Sequence, residues 1–464
     1  MRFKKIAVLV NLWALVFFAA LLQANSLLAA PERTTSANDW LDTKTPVKWL
    51  VEGSYEKLER HLDDLYKEVK KRPGKEYRLV WTYMALSRDA QNEPHILRWE
   101  KARASRYQMK IAFAGILNTK ASDIRQAKLA NKVSREDFER IHKLHAEARG
   151  ILEAVLKEKP DHPVALYYYI GTCASEKHCL PEEMARVEEH APHAYFARRA
   201  IFNFLQPKWG GSMALIESYQ KTLQKNLKIN PHWKPLMGFD QFALCGSEQL
   251  DREYEKAFPY CRKAWAFGPD LFYLDAMSWA ASKLGFFSEF RGYVDEFRRL
   301  FPSDYYEKEF HKYAKAMLQW GNYFRKENPS SAMEAFTEAQ KIAPDFDEPY
   351  VARAKLYYAQ ENLPAAENDI KKAVALNPDN LHALEWFSFV LGKQRRTHEM
   401  ISLWNNYIER HPEEPKAYYE VAKGYFSKKD FKSTYENVQK ACSLGHEKSC
   451  EWETRLKTQS SPQP

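Results

Sequence analysis

Apolar residues recur three and four positions apart along most of this chain, the spacing of amphipathic helices, and strand-like alternation is hard to find. Between 46 and 230 one stripe runs through Tyr55, Leu58, Leu62, Leu65, Tyr66 and Val69. Ser54 is its candidate N-cap, with Lys57 where a capping box would place an acid. A second stripe, Phe138, Ile141, Leu144, Ala148, Ile151 and Val155, predicts a helix over Arg135 to Lys157 closed by Pro160. The period weakens from Leu117 to Lys132, which predicts a long loop or a surface helix, and Pro160, Pro207 and Pro231 are too irregularly spaced for a regular array. The second half differs. Pro344, Pro378 and Pro412 lie 34 residues apart, each preceded by the same columns of small and aromatic side chains. Before Pro378 these are Tyr350, Ala354, Tyr357, Ala366, Ile370 and Ala373; before Pro344 they are Met317, Trp320, Gly321, Phe324, Ala332, Phe336 and Ala339, with one residue fewer in the turn. Small residues let two helices approach, large ones fill the space between hairpins, and proline stops the second helix for want of an N–H.

The neighbouring stretches keep the phase. Leu384, Phe387, Ser388, Leu391, Met400, Trp404 and Tyr407 precede Pro412, with bulk in two small places; Tyr418, Val421, Ala422, Tyr425, Val438 and Ala441 follow, with His446 where the proline belongs. Upstream, Ala257, Cys261, Ala264 and Pro269 repeat the second-helix columns, and Phe290, Val294, Phe297 and Pro302 do so 33 residues on. Six helical hairpins are therefore predicted between about 236 and 450. This period resembles the tetratricopeptide repeat, which implies an all-α solenoid of stacked antiparallel hairpins that binds rather than reacts. By that resemblance the first helix of each unit lines a groove. The groove residues are Leu318, Asn322 and Arg325, then Val351, Lys355 and Tyr358, then Trp386, Phe389 and Lys393, then Tyr419, Lys423 and Phe426. Aromatic and basic groups of this kind suit an extended peptide, and carbohydrate, whose faces stack on rings, is the second ligand class. The clamp that some members use for a chain terminus is disfavoured, because Ala352, His382 and Trp386 stand in its places. Whether the first half of the chain covers these aromatics stays open at this point.

In the first half, Pro207, Lys208, Trp209, Gly210, Gly211 and Ser212 form one unusual run. Proline ends a helix, the glycines permit positive φ, and Ser212 is placed to cap a helix from Met213, so a tight inter-helix turn pinned by Trp209 is expected. With the hairpin near Leu50 to Val69, the Arg98–Trp99 segment and the helix before Pro160, this run resembles an uncharacterised bacterial helical family defined by a Trp-Gly-Gly-Ser motif. The likeness covers roughly 50 to 225 and implies no settled activity. The last unit, with Cys442, Leu444, Gly445, His446 and Cys450, resembles the cysteine-paired Sel1-like repeats, which implies a bridge from one hairpin to the next helix.

Composition and charge narrow the setting. The chain has 464 residues, 14% of them aromatic, and only 16 glycines, which favours packed helices. Arg2, Lys4 and Lys5 precede an apolar run from Ile6 to Leu22, and small residues follow at Ala24, Ser26, Ala29 and Ala30. Residues 1–30 thus read as a signal peptide cut after Ser26 or Ala29, or as an uncleaved membrane anchor, with no cysteine for a lipoprotein signal. No second stretch is apolar enough to span a membrane, so a periplasmic or secreted location is expected. The segment carries three of the nine excess positive charges, and the rest are interleaved with acids, which argues against a nucleic-acid partner. Six cysteines in an exported chain suggest three disulfides: Cys173 with Cys179, Cys245 with Cys261, and Cys442 with Cys450. The division expected is 1–30 targeting, 38–232 irregular helices, 236–457 repeats, and 458–464 a disordered tail.

No nucleophile elbow, phosphate loop, dinucleotide fingerprint or HExxH motif is present. Glu139, His142 and His145 share a helix face but read as surface groups, and His178, His190 and His193 need not converge around Cys179. Asp63 with Asp64, Glu182 with Glu183, and Glu188 with Glu189 read as solvated helix faces. No catalytic residue, metal or cofactor is therefore assigned. The expected function is a non-catalytic scaffold for a protein or peptide; the alternative is a hydrolase or glycan-processing factor with its site where the two halves meet.

Overall fold

The structure, a computed structural model, describes residues 40–125, 133–175 and 179–459. The expected targeting segment lies outside them. Among the described residues there are 23 α-helices, and the β structure is one isolated parallel bridge from Leu41 to Ser303. The first half contributes α1 (Lys44–Glu52), α2 (Tyr55–Lys71), α3 (Glu76–Ser87), α4 (Glu93–Arg103), α5 (Tyr107–Arg125), α6 (Arg135–Glu158), α7 (Pro163–Gly171), α8 (Cys179–His190), α9 (Tyr195–Phe204) and α10 (Met213–Gln224). Six hairpins follow. They are α11 (Phe239–Leu250) with α12 (Tyr254–Trp265), α13 (Leu271–Leu284) with α14 (Phe287–Leu300), and α15 (Glu307–Phe324) with α16 (Pro329–Ile342). Then come α17 (Glu348–Ala359) with α18 (Leu363–Leu376), α19 (Leu381–Lys393) with α20 (Thr397–Arg410), and α21 (Pro415–Ser427) with α22 (Phe431–Ser443). A last helix, α23 (Glu447–Gln459), packs on α22. First helices of successive units touch from α11 through α19, and α19 meets α21 through the Glu385–Lys416 pair, so the array is a stacked all-α solenoid.

Local chemistry explains the hairpins. Asn328, Asn362 and Asp430, in equivalent turns, each accept a backbone N–H at the start of α16, α18 and α22. Arg252, Glu361, Arg395 and Lys429 take φ near +60° in four of the turns, and Gly285 does so in a fifth. The columns are buried as expected: Ala332, Ala339, Ala366 and Ala373 are fully inaccessible, as are Phe336 and Ile370. In the degenerate unit the bulk is accommodated by specific partners. Trp404 donates to the buried Ser388 hydroxyl at 2.6 Å, and Met400 and Ile401 fill the space above Gly424, where a Cβ would meet Ile401 Cγ1 at 2.6 Å. Two disulfides are formed as expected, Cys245–Cys261 between α11 and α12 and Cys442–Cys450 between α22 and α23. The third expected pair involves Cys179, whose side chain lies outside what is described.

Several expectations for the first half are corrected. Of the two expectations for the stretch from Leu117, a helix is what forms as far as Arg125, but Leu117 and Ala121 are buried, and Asn118 donates to the Tyr168 carbonyl, so this part is anchored rather than lying free on the surface. Residues 126–132 lie outside the described ones. Ser54 precedes α2, but its hydroxyl accepts no amide there. In each acidic pair one member turns inward: Asp63 accepts from Gln108 at 2.8 Å, Glu183 from Arg149 at 2.9 Å, and Glu188 from Arg198 at 2.9 Å. Two of these bonds come from helices 34 and 45 residues away and the third from the next helix, so no local pattern announces them. The Trp-Gly-Gly-Ser run is a tight turn in which Gly210 has φ +90°, a Cβ on Gly211 would lie 2.1 Å from the Leu205 carbonyl oxygen, and Ser212 caps α10. Trp209 stays half-exposed, with the Arg125 guanidinium 3.9 Å above its ring.

One buried cluster runs from Leu41 to Ala343, across the division expected near 232. Two contacts join the halves. Trp81 of α3 stacks on Tyr305 and packs against Phe297 and Phe301, while Thr43 donates to Asp304 through both its amide and its hydroxyl at 2.8 Å. At the second contact Arg199 of α9, only 1% exposed, lies 3.3 Å from Asp270 and within 4.3 to 5.9 Å of the rings of Phe239, Phe242, Phe272 and Tyr273. Asp270 also accepts from Tyr195 at 2.6 Å and caps α13 through the amides of Phe272 and Tyr273. Glu76 of α3 caps α9 from outside, accepting the amides of Tyr195 and Phe196, and its burial raises its pKa to about 7.

Two outcomes follow. Asp270→Asn keeps a capping oxygen but leaves Arg199 buried without its counter-charge, so urea unfolding should show a loss of about 3–5 kcal/mol; a loss below about 1 kcal/mol would contradict the role given to this pair. Gly424→Ala should cost about 1–3 kcal/mol by overpacking, and most of that cost should vanish in an Ile401→Ala background, measured as a double-mutant cycle.

Candidate binding groove

Of the twelve groove residues expected from the repeat columns, eleven lie on the first helices α15, α17, α19 and α21, and Arg325 lies in the turn just after α15. Leu318 and Val351 are buried, against expectation, because they pack into the apolar interior between helices. The other ten are not: Asn322, Lys393, Phe389 and Phe426 are exposed, and Arg325, Lys355, Tyr358, Trp386, Tyr419 and Lys423 are half-buried. Phe389 and Phe426 keep about half their surface in solvent, at 51% and 48%. All the ring, hydrogen-bond and ion-pair partners that these ten show lie at Lys355 or later in the chain. The first half reaches the array earlier, where Arg199 meets Phe242 of α11 and Phe272 of α13.

Seven of the ten fall into two aromatic groups rather than one even lining. Trp386 meets Tyr358 edge-on at 5.7 Å and Phe389 at 5.3 Å, with the Lys355 ammonium 5.1 Å from the indole and 2.8 Å from His382 Nε2. Tyr419 and Phe426 both meet Trp452 edge-on, at 5.9 and 5.5 Å, and Lys423 lies over Tyr419 while paired with Glu420 at 2.6 Å. The sequence columns missed three members. Trp452 of α23 forms the end wall of the groove, held beside the array by the Cys442–Cys450 bridge. His446 accepts the Ser449 amide at the start of α23 and stacks on Tyr419 at 4.6 Å. Trp279 of α13 is 52% exposed, with the Lys283 ammonium 4.9 Å from its ring. Trp452 falls 33 residues after Tyr419, one short of the period, and a 34-residue step from Trp279 reaches the buried Tyr313, so the columns do not announce either tryptophan.

Charge is distributed unevenly along this face. Lys416 pairs with Glu385, and Arg353 pairs with Asp369 at 2.7 Å. Lys355 has no carboxylate partner among the described residues. Burial, and then the nearby Arg325, lower its pKa to about 8, and burial with Lys355 beside it lowers His382 as well.

The groups weighed for chemistry do not assemble a reactive site. His142 is exposed, whereas His145 is buried, against expectation for a surface pair, and burial holds it near 4 because its helix packs that face inward. Among the described residues no three His, Cys, Asp or Glu side chains are grouped so as to hold a metal, and no helix is long and apolar enough to cross a membrane. His178 lies outside the described residues. Where the halves meet, Arg199 and Asp270 are buried and bonded to each other.

Geometry therefore defines the chain as an α-solenoid of tetratricopeptide-like hairpins with an irregular helical half joined to its first units. No family model matches the sequence, and no curated protein does. Among solved structures it is similar to the crystal structure of MamA protein, at 13% identity over 49% of this chain and 98% of that one, with a TM-score of 0.28. It is also similar to the TPR2AB-domain–pHSP90 complex of yeast Sti1, at 18% identity over 48% of this chain and 96% of that one, with a TM-score of 0.22. At such scores the fold rests on the geometry of the chain itself.

The lowered pKa of Lys355 sets a stability signature. Between about 8 and the ordinary 10.5 the unfolded chain holds a proton that the folded protein has shed, so this group makes stability rise with pH across that window. Lys355→Met should raise the urea midpoint at pH 7 and flatten its rise between pH 8 and 10; an unchanged slope would show that Lys355 titrates normally.

Proposed function

We propose that the protein is a non-catalytic, exported interaction scaffold that holds an extended peptide or protein segment along α15 to α23. The observation that carries this reading is the half-open aromatic and basic face, with one aromatic group around Trp386 and a second around Trp452 at the end of the array. Aromatic rings and cations left partly in water are the groups that gain most from a partner, because they bury large areas at low entropic cost. The polar groups of the first half are, by contrast, largely committed to one another, as the Arg199–Asp270 and Arg149–Glu183 pairs illustrate. Export is supported by the two disulfides and by the charge and apolar pattern of residues 1–30.

A combined Trp386→Ala, Phe389→Ala variant tests the groove. Both side chains are partly solvated, so helicity by circular dichroism should be retained while affinity for a partner recovered by the wild type falls by about 30-fold or more, the range of interface anchors. Equal recovery by wild type and variant refutes the groove assignment.

A further inference from the structure

We propose that Arg325, Lys355 and His382 form a seat for a side-chain carboxylate, so that the groove takes an extended segment presenting an acidic residue beside an aromatic or aliphatic one. This deepens the groove reading above and rests on it. Lys355 and His382 come from consecutive first helices, α17 and α19, and Arg325 from the turn just after α15; Lys355 Nζ lies 2.8 Å from His382 Nε2 and 5.1 Å from the Trp386 ring centre. Arg325 is near enough to act on both. Among the described residues two other cations on this face have acids, Lys423 with Glu420 and Lys416 with Glu385, while Lys393 is exposed to solvent. Glu385 is the one carboxylate that acts on Lys355 and His382, and it is already paired with Lys416, which itself disfavours a charge on His382. Lys355 thus donates to the neutral His382 ring, while its positive charge and that of the nearby Arg325 sit beside an indole without an anion to balance them. A side chain fits better than a chain terminus. Candidate surface continues on both sides, to Asn322 on α15 and to Tyr419, Phe426 and Trp452 on α21 and α23, so a bound chain runs past the seat rather than ending in it.

The test uses N-acetylated, C-amidated peptides of sequence Ser-Leu-X-Phe-Ser-Ser with X as Glu, Gln or Lys, plus the free-acid form of the Gln peptide. Binding to the full chain is read by fluorescence anisotropy. The Glu peptide should bind about tenfold more tightly than the Gln peptide, and the Lys peptide most weakly. Lys355→Met should erase the preference for the Glu peptide over the Gln peptide, and Trp386→Ala should weaken both. Equal binding of the Glu and Gln peptides to the wild type overturns the seat; if Trp386→Ala still weakens both, the groove reading stands without it. A free-acid Gln peptide that outbinds the amidated Glu peptide overturns the side-chain assignment in favour of terminal capture. Binding by none of the peptides overturns the seat and the groove together.

Discussion

A buried guanidinium and a buried carboxylate, Arg199 and Asp270, hold the irregular half of this protein against its repeat array. Neither charge could remain in an aromatic interior alone, since removing either from water costs far more than one contact returns. Their mutual satisfaction fixes the position of everything attached. Asp270 caps α13 and accepts from Tyr195, so the start of the second repeat is set by α9. α9 is in turn capped by Glu76 of α3, which ties the same node to the first helices of the chain. Trp81, also on α3, then stacks at the end of the second hairpin, giving the halves a second point of contact. Two separated contacts define an orientation where one would leave a hinge.

This arrangement spends the polar groups of the first half on structure and leaves the later repeats to face solvent. Arg149, Arg198 and Arg199 find acids, and Glu183, Asp63 and Glu188 are drawn inward to meet partners. Along α15 to α19 the balance is reversed: Lys355 sits half-buried beside Arg325 and His382 without an acid of its own, at a cost in stability that a bound anion would offset. The aromatic groups on either side are shaped by the same stacking. Trp386 is held edge-on by Tyr358 and Phe389, and Trp452 by Tyr419 and Phe426, so the rings are placed before any ligand arrives.

Much of the repeat array was legible because its determinants are local. Proline at the end of a second helix, an Asn or Asp cap before it and small residues at the crossing act within about one unit, and the period repeats them until chance is excluded. Even the degenerate unit obeys this logic once Trp404 is seen to bond Ser388 and Gly424 to make room for Ile401. The candidate groove residues follow the same logic, since they are taken from fixed places in each repeat, and that logic fails at Leu318 and Val351, which are buried. Trp279 and Trp452 were overlooked where the columns fade at the two ends.

The sequence by itself determined an all-α chain, six hairpins in phase, two of its cross-links, and a set of aromatic and basic residues sharing one face. Only the tertiary structure decided which charges would be neutralised and which left waiting. Arg199 meets Asp270 across 71 residues and Glu76 meets Tyr195 across 119, separations at which no periodic pattern constrains the pairing. Helix and hairpin formation depend on neighbours along the chain, whereas the energy of a charge depends on its surroundings in space, and those exist only after the two halves have packed.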